Sequence, residues 1–365
     1  MTLSQLGWSK WQEERFVRFS QTRDDQNMDR YVCARVTRVH RHLCTVLSEV
    51  GEFPARIPGK MLHDSKARSA LPAVGDWVVV QRFENHTTVV LTVLERKTAV
   101  SRKAAGAVTQ EQIIAANVDG ALIVAGLDGD YNPKRIERYL ALVLEFGIDP
   151  SVVLNKADVC GDVQQRVAEV EALTFGFPVI AISARLGSGM EDLSASMQRG
   201  KTYVLLGSSG VGKSTIVNRL LGRTVQRVQA VREDDSRGRH TTASRELFIL
   251  ENGALLIDNP GMREIQLWGD ERGLREAFQD VQGLARECRF SDCTHTHEPG
   301  CAVREAIRTG VLEPQRLESY LKLQRELHHL RRRQDERLER MERDKWKSII
   351  KSYRKYIKDK RGNFG

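Results

Sequence analysis

The chain has 365 residues, 41% apolar and 29% charged, which is enough for two or three folded units with real cores and excludes a disordered chain. No run of apolar residues is long enough to span a bilayer, and the opening residues 1–20 mix Trp8, Trp11, Phe16 and Phe19 with charges; both observations argue against an anchor or secretory leader and point to the cytoplasm. The net charge of +9 gathers at the end, where residues 331–365 hold 14 Lys/Arg against 6 Asp/Glu, so this basic extension either faces solvent or meets a polyanionic partner.

After an N-terminal segment (1–29), residues 30–100 alternate strand-like runs with turns: Tyr31 to Val36, Leu43 to Leu47, Gly75 to Val80 and Thr88 to Val93. That spacing predicts a small β-barrel of the OB-fold type. Ser101 to Gln110, with Ser-Arg-Lys-Ala-Ala-Gly at its start, reads as a basic linker. Cys33, Cys44 and Cys160 stand among apolar neighbours and read as packing thiols.

Over 111–269 the pattern changes to short apolar runs without alternation, at Ala121–Ala125, Ser151–Leu154, Pro178–Ile182, Tyr203–Leu206 and Ala254–Ile257. Helical segments (Pro133–Phe146, Val163–Thr174, Lys213–Leu221) separate them, which predicts a mostly parallel sheet covered on both faces. Gly207-Ser208-Ser209-Gly210-Val211-Gly212-Lys213-Ser214, followed by Thr215, matches the phosphate loop between a strand and a helix. Its glycines let backbone N–H groups turn toward phosphate oxygens, Lys213 bridges the β- and γ-phosphates, and Ser214 ligates Mg²⁺.

Asn155-Lys156-Ala157-Asp158 follows a strand and is a guanine reader. The Asp158 carboxylate accepts from the base N1 and N2 groups, Asn155 fixes the loop, and the Lys156 stem lies along the ring. Ser183-Ala184, after the next strand, fits the loop that backs the guanine O6 with an N–H. Asp258 in Asp258-Asn259-Pro260-Gly261 holds Mg²⁺ through water, and the Gly261 N–H senses the γ-phosphate. Between these motifs, Gly238-Arg239-His240-Thr241-Thr242 offers a switch threonine to Mg²⁺, Thr242 ahead of Thr241.

Residues 270–330 read as helical around a Cys/His cluster, with Leu317, Tyr320, Leu321, Leu327 and Leu330 docking one helix face. Cys288, Cys293, His295 and Cys301 give C-x₄-C-x-H-x₅-C, a closed four-ligand set suited to one structural Zn²⁺, with His297 as an alternative to His295.

The motif order is unusual, because the base-reading segment precedes the phosphate loop. Joining the usual termini of a Ras-like domain and cutting it elsewhere produces this order, a circular permutation. Together with the preceding barrel and the Cys/His cluster, the runs Gln112 to Asp119, N-K-A-D, G-S-S-G-V-G-K-S, G-R-H-T-T, D-N-P-G and D-C-T-H-T-H-E-P-G-C resemble the RsgA family of small-ribosomal-subunit biogenesis GTPases. The resemblance covers residues 30–330 and favours His295 as the fourth zinc ligand.

It implies slow hydrolysis of GTP to GDP, stimulated by the small ribosomal subunit, contact with rRNA, and a role late in subunit maturation; the chain is expected to act as a monomer. Asn259 stands where the family usually has Thr or Ser, and the switch reads H-T-T-A instead of H-T-T-T. Ras-like enzymes place a water-orienting Gln directly after D-x-x-G, whereas this chain has Met262, so His240 is the candidate to position water. The other reading is a GTP-regulated RNA-binding scaffold in which turnover is incidental.

Overall fold

Runs of β-branched residues form the first strands in the computed structural model, which describes residues 1–22, 30–63, 68–83, 87–103, 111–223, 245–258, 271–332 and 343. Strands β1 (Tyr31–His40), β2 (Leu43–Ser48), β3 (Gly51–Arg56), β4 (Trp77–Arg82) and β5 (Thr88–Val93) follow one another in that order. Neighbours pair β1-β2-β3-β5-β4, and the β1–β4 pairing closes the ring into a barrel. Alternate residues fill its interior, among them Ala34, Val36, Cys44, Val46, Val78, Val80 and Val90. Helix α1 (Lys10–Gln21) starts at Ser9, whose hydroxyl accepts from the Trp11 N–H. A short helix, α2 (Gly59–His63), follows β3.

The second half of this unit is a sheet of β8 (Gly120–Gly126), β9 (Asp149–Asn155), β10 (Val179–Ala181), β11 (Thr202–Leu206), β12 (Glu246–Ile249) and β13 (Leu255–Asp258). Its order is β10-β9-β8-β11-β13-β12, parallel except for β12. Strands β10 and β11 are consecutive in the chain yet lie three places apart in the sheet. That jump is carried through α5 (Met190–Ser196).

Helices α3 (Pro133–Glu145) and α4 (Val163–Thr174) link β8 to β9 and β9 to β10, and α6 (Lys213–Leu220) follows β11. The Asn132 cap and Pro133 at the first position set the start of α3, and Ile136, Leu140, Val143 and Leu144 form its buried stripe.

The barrel and this sheet are one body, Met1–Gln266, and β1 pairs with β12 at Arg38 and Glu246. The stretch expected as a linker is in part a hairpin: β6 (Ala99–Lys103) pairs antiparallel with β7 (Glu111–Ala116), and only 104–110 lie outside the described residues. Val100 and Ser101 are both buried there, on either side of a register shift, so pairing and burial prevail over the basic composition.

At the junction Arg35 is fully enclosed. It donates to the carbonyls of Leu6, Gly75 (3.3 Å) and Asn117 (3.1 Å) and to the Thr202 hydroxyl (2.8 Å), tying the N-terminal segment, the barrel and β11 together. Burial pulls its pKa down to about 10, against Asp119 and Asp76, so it stays charged at neutral pH.

The second body, Leu267–Gly365, contains α7 (Arg272–Ala277), α8 (Gln279–Ala285), α9 (Ala302–Arg308) and α10 (314–332). Leu317, Tyr320, Leu323 and Leu327 of α10 are buried, while Leu321 and Leu330 are half-buried. Arg316 locks α10 to α8 through Asp280 (3.0 Å). No helix among the described residues is long and apolar enough to cross a membrane.

Candidate active site and metal centre

In open parallel sheets, ligands bind at the carboxyl ends of the strands where neighbouring connections diverge. Here that point lies between β8, whose connections run toward β9 and β10, and β11, whose connections run toward β13 and β12. The strand ends there present Gly126, Asn155, Leu206 and Asp258. The loop after β11 turns through positive φ at Gly207 (145°), Gly210 and Gly212 (95°). A Cβ at Gly207 would meet the Val124 carbonyl oxygen at 2.3 Å, and one at Gly212 would meet Asn155 Nδ2 at 2.3 Å, so both positions demand glycine. Lys213 begins α6 and folds its ammonium back over the loop, donating to the Gly207 carbonyl at 2.7 Å.

Asn155 is buried and joins three motifs. Its Nδ2 donates to the Val211 carbonyl at 2.8 Å, and its Oδ1 accepts from the Ala184 N–H at 3.0 Å. The Ala184 N–H is therefore held by Asn155. Ser183, also buried, donates its hydroxyl to Asp158 Oδ1 at 2.6 Å, and Arg185 reaches Asp158 Oδ2 at 2.9 Å. The Ser183 bond, helped by Arg185, holds the Asp158 carboxyl below its ordinary pKa, so it is an acceptor-only carboxylate at neutral pH. Each carboxylate oxygen has two lone-pair directions, leaving one apiece for a donor pair on a ligand edge. Lys156 takes a left-handed backbone (φ 67°), Ala157 N–H bonds the Ile182 carbonyl, and the Lys156 ammonium pairs with Asp128.

At the other end of the cleft stands Asp258, buried at the end of β13. Burial pushes its pKa up to about 6 despite the opposing charge of Lys213, and Glu246 across the strand pair adds to the rise. Ser208 of the loop accepts from Arg135 of α3 at 2.8 Å, and Asp130 holds the same guanidinium at 2.7 Å. Ser209, Ser214 and Thr215 complete the loop and the first turn of α6. His240, Thr241, Thr242, Gly261 and Met262 lie outside the described residues. Asp128, Arg135 and the anchoring carboxylate Asp130 carry no sequence motif. Their signal is the turn composition Asp-Gly-Asp, which also marks any surface turn.

In the second body, Cys288, Cys293, His295 and Cys301 place one ligand atom each within 4.8 Å of one another. Cys288 Sγ lies 3.9 Å from Cys301 Sγ and 3.7 Å from His295 Nδ1, and Cys301 Sγ lies 3.5 Å from that nitrogen. Thiolates and an imidazole tetrahedrally bound to zinc sit about 3.5–3.8 Å apart, so the donor set fits that ion and names Nδ1 as the ligating atom. Glu298 is the brace of the loop. It accepts from the N–H groups of Thr294, Thr296 and His297, each at 3.0 Å, which fixes the backbone on both sides of His295. Those bonds, the Thr294 hydroxyl first, hold its carboxyl far below the usual range.

Residues 93–268 match the family model described as RsgA GTPase. A protein of Opitutus terrae named small ribosomal subunit biogenesis GTPase RsgA is 46% identical over 364 residues, covering 97% of each chain. One of Syntrophotalea carbinolica with the same name is 45% identical over 335 residues, covering 90% of each. Among solved structures the chain is similar to YjeQ from Thermotoga maritima, at 26% identity and TM-score 0.62, covering 82% of this chain and 98% of that one. A likeness to YloQ, described as a circularly permuted GTPase, has TM-score 0.59 over 85% of this chain and 99% of that one; at 22% identity it speaks for the fold.

Proposed function

The chain belongs to the RsgA GTPase family, and on that premise we propose that it hydrolyses GTP at the cleft between β8 and β11 while engaged with the small ribosomal subunit. One observation carries the reading: Asn155 bonds both the phosphate loop at Val211 and the Ser183-Ala184 loop, so the base-reading and phosphate-binding segments share one cleft. In this reading Asp158 accepts the two edge protons of guanine, and Asn155, Lys156, Ala157, Ser183 and Ala184 shape the base end. Gly207 to Gly212, Lys213 and Thr215 hold the phosphates. Their N–H groups and the Lys213 ammonium meet the negative charge that grows on the phosphoryl oxygens as the γ-phosphate departs. Ser214, Asp258 and Thr242 or Thr241 would hold Mg²⁺, which would add charge neutralisation there, and the Gly261 N–H would sense the γ-phosphate. Met262 has no group to orient water, so His240 serves as the positioning residue.

The partners follow from the relatives' name and from charge. The small ribosomal subunit is the partner, rRNA is touched by basic residues including the extension after 331, and the chain works as a monomer in the cytoplasm. Zinc in the Cys288, Cys293, His295 and Cys301 set closes the domain of 270–330 and has no catalytic duty, since four protein ligands leave no open position.

The test is phosphate release from GTP, with ATP as control, with and without purified small ribosomal subunits. GTP turnover raised by the subunits is expected, and equal turnover of ATP would overturn the reading. His240→Ala measured in a single turnover with subunits bound is expected to be slow; a rate equal to wild type removes His240 from the mechanism.

A further inference from the structure

The turn after β8, Leu127-Asp128-Gly129-Asp130, belongs to none of the nucleotide motifs, yet both of its carboxylates hold cations of the cleft. Asp128 pairs with the Lys156 ammonium in the base-reading loop, and Asp130 holds Arg135 against Ser208 of the phosphate loop. The turn is locked in place beside these loops. Gly126 is the register partner of Asn155, and the Leu127 N–H donates to the Asn155 carbonyl at 2.8 Å.

Gly126 also makes the room. A Cβ there would lie 2.7 Å from Asp128 Oδ1 and 3.7 Å from Lys156 Cδ, so the missing side chain lets carboxylate and lysine stem meet over the strand end. Burial alone would raise the Asp128 pKa, but the bond and charge of Lys156 outweigh it and leave the carboxyl below its ordinary value.

We propose that Asp128 is a positioning residue for the guanine nucleotide: by holding the Lys156 ammonium, it lays the methylene stem of that lysine against the base site and so sets affinity. The inference rests on the nucleotide reading above. A lysine stem has four rotatable bonds, and ordering it opposes binding unless it is ordered beforehand. Both side chains are about one-third exposed (28% for Lys156, 31% for Asp128), so the ion pair itself adds little to fold stability, and its effect falls on the ligand.

The contact lies at the base end, so GDP and GTP should feel it alike. Full-length wild type, Asp128→Asn, Lys156→Met and the double variant are titrated with GDP and ADP by calorimetry, and KM for GTP is measured. Asp128→Asn is expected to weaken GDP about tenfold and to raise KM for GTP by the same factor, with Tm of the nucleotide-free protein unchanged. The double variant is expected to bind GDP no more weakly than Lys156→Met alone. GDP affinity of Asp128→Asn within twofold of wild type, or losses that add in the double variant, would overturn the role of Asp128 alone. Wild type binding GDP and ADP equally would overturn the guanine reading beneath it.

Discussion

Asn155→Asp is a one-atom test of the join between the loops. The substitution keeps shape and keeps the acceptor for the Ala184 N–H, but replaces the Nδ2 donor, 2.8 Å from the Val211 carbonyl, with a carboxylate oxygen. Asn155 and Val211 are both only 3% exposed, so no water fills the gap cheaply. Losing the bond and leaving a buried acceptor unmet costs about 2–4 kcal/mol, or about 30- to 1,000-fold in affinity for a nucleotide that needs both loops closed.

The cost has a pH signature. A buried carboxyl facing a carbonyl has a raised pKa, and its protonated form donates to Val211 as the amide did. The deficit is therefore largest above that pKa and shrinks as pH falls. GDP titrations of both proteins in Mg²⁺-free buffer from pH 5.5 to 8.5 give the ratio directly. A loss smaller than threefold at pH 8, or a ratio that does not change with pH, would refute the assignment of Asn155 as the bridge.

Three further outcomes follow from particular contacts. Glu298→Ala frees the N–H groups around His295 and is expected to lower zinc affinity about 10- to 100-fold in chelator competition; unchanged affinity would mean that the brace does not orient the ligand. With its pKa pushed up to about 6, Asp258 is protonated below that pH, and in the proposed role it then no longer holds hydrated Mg²⁺. The Mg²⁺ enhancement of GTP binding should therefore fade as pH drops through about 6, and the inflection should vanish in Asp258→Asn; an inflection that persists there belongs to another group. Arg35→Met leaves the carbonyls of Leu6 and Asn117 without the Arg35 donor, and that of Gly75 with Asn117 Nδ2 (3.1 Å), and should cost about 3–5 kcal/mol in urea unfolding, whereas a loss under about 1 kcal/mol would show that the junction repacks.

The sheet was readable because each buried strand is a run such as Ala121–Ala125, bounded by turns, and because the phosphate loop and N-K-A-D need fixed residue types. Strand β3, Gly-Glu-Phe-Pro-Ala-Arg, was not anticipated. Pro54 and the charged residues argue against a strand, and its pairing to β5 is one register position, Arg56 to Val89. The hairpin of β6 and β7 hid behind Lys103 and the glycine at 106, whose composition signals a linker. Arg35 was invisible for another reason: a charged residue in a strand is expected to face water, and only its acceptors, three carbonyls and the Thr202 hydroxyl 167 residues away, make burial tolerable. Asp128 was missed likewise, because nothing local records that Lys156 lies above it.

Sheets end in rows of unpaired N–H and C=O groups that invite another strand, and here the two ends of the nucleotide sheet are handled differently. On one side β1 of the barrel pairs with β12 at one register position, Arg38 to Glu246, so the sheet runs on into the barrel at the start of that strand. On the other, β10 is only three residues long and offers little template for an intruding chain. In a domain cut and rejoined at new termini, the barrel that precedes it thus takes over the first position of one sheet edge.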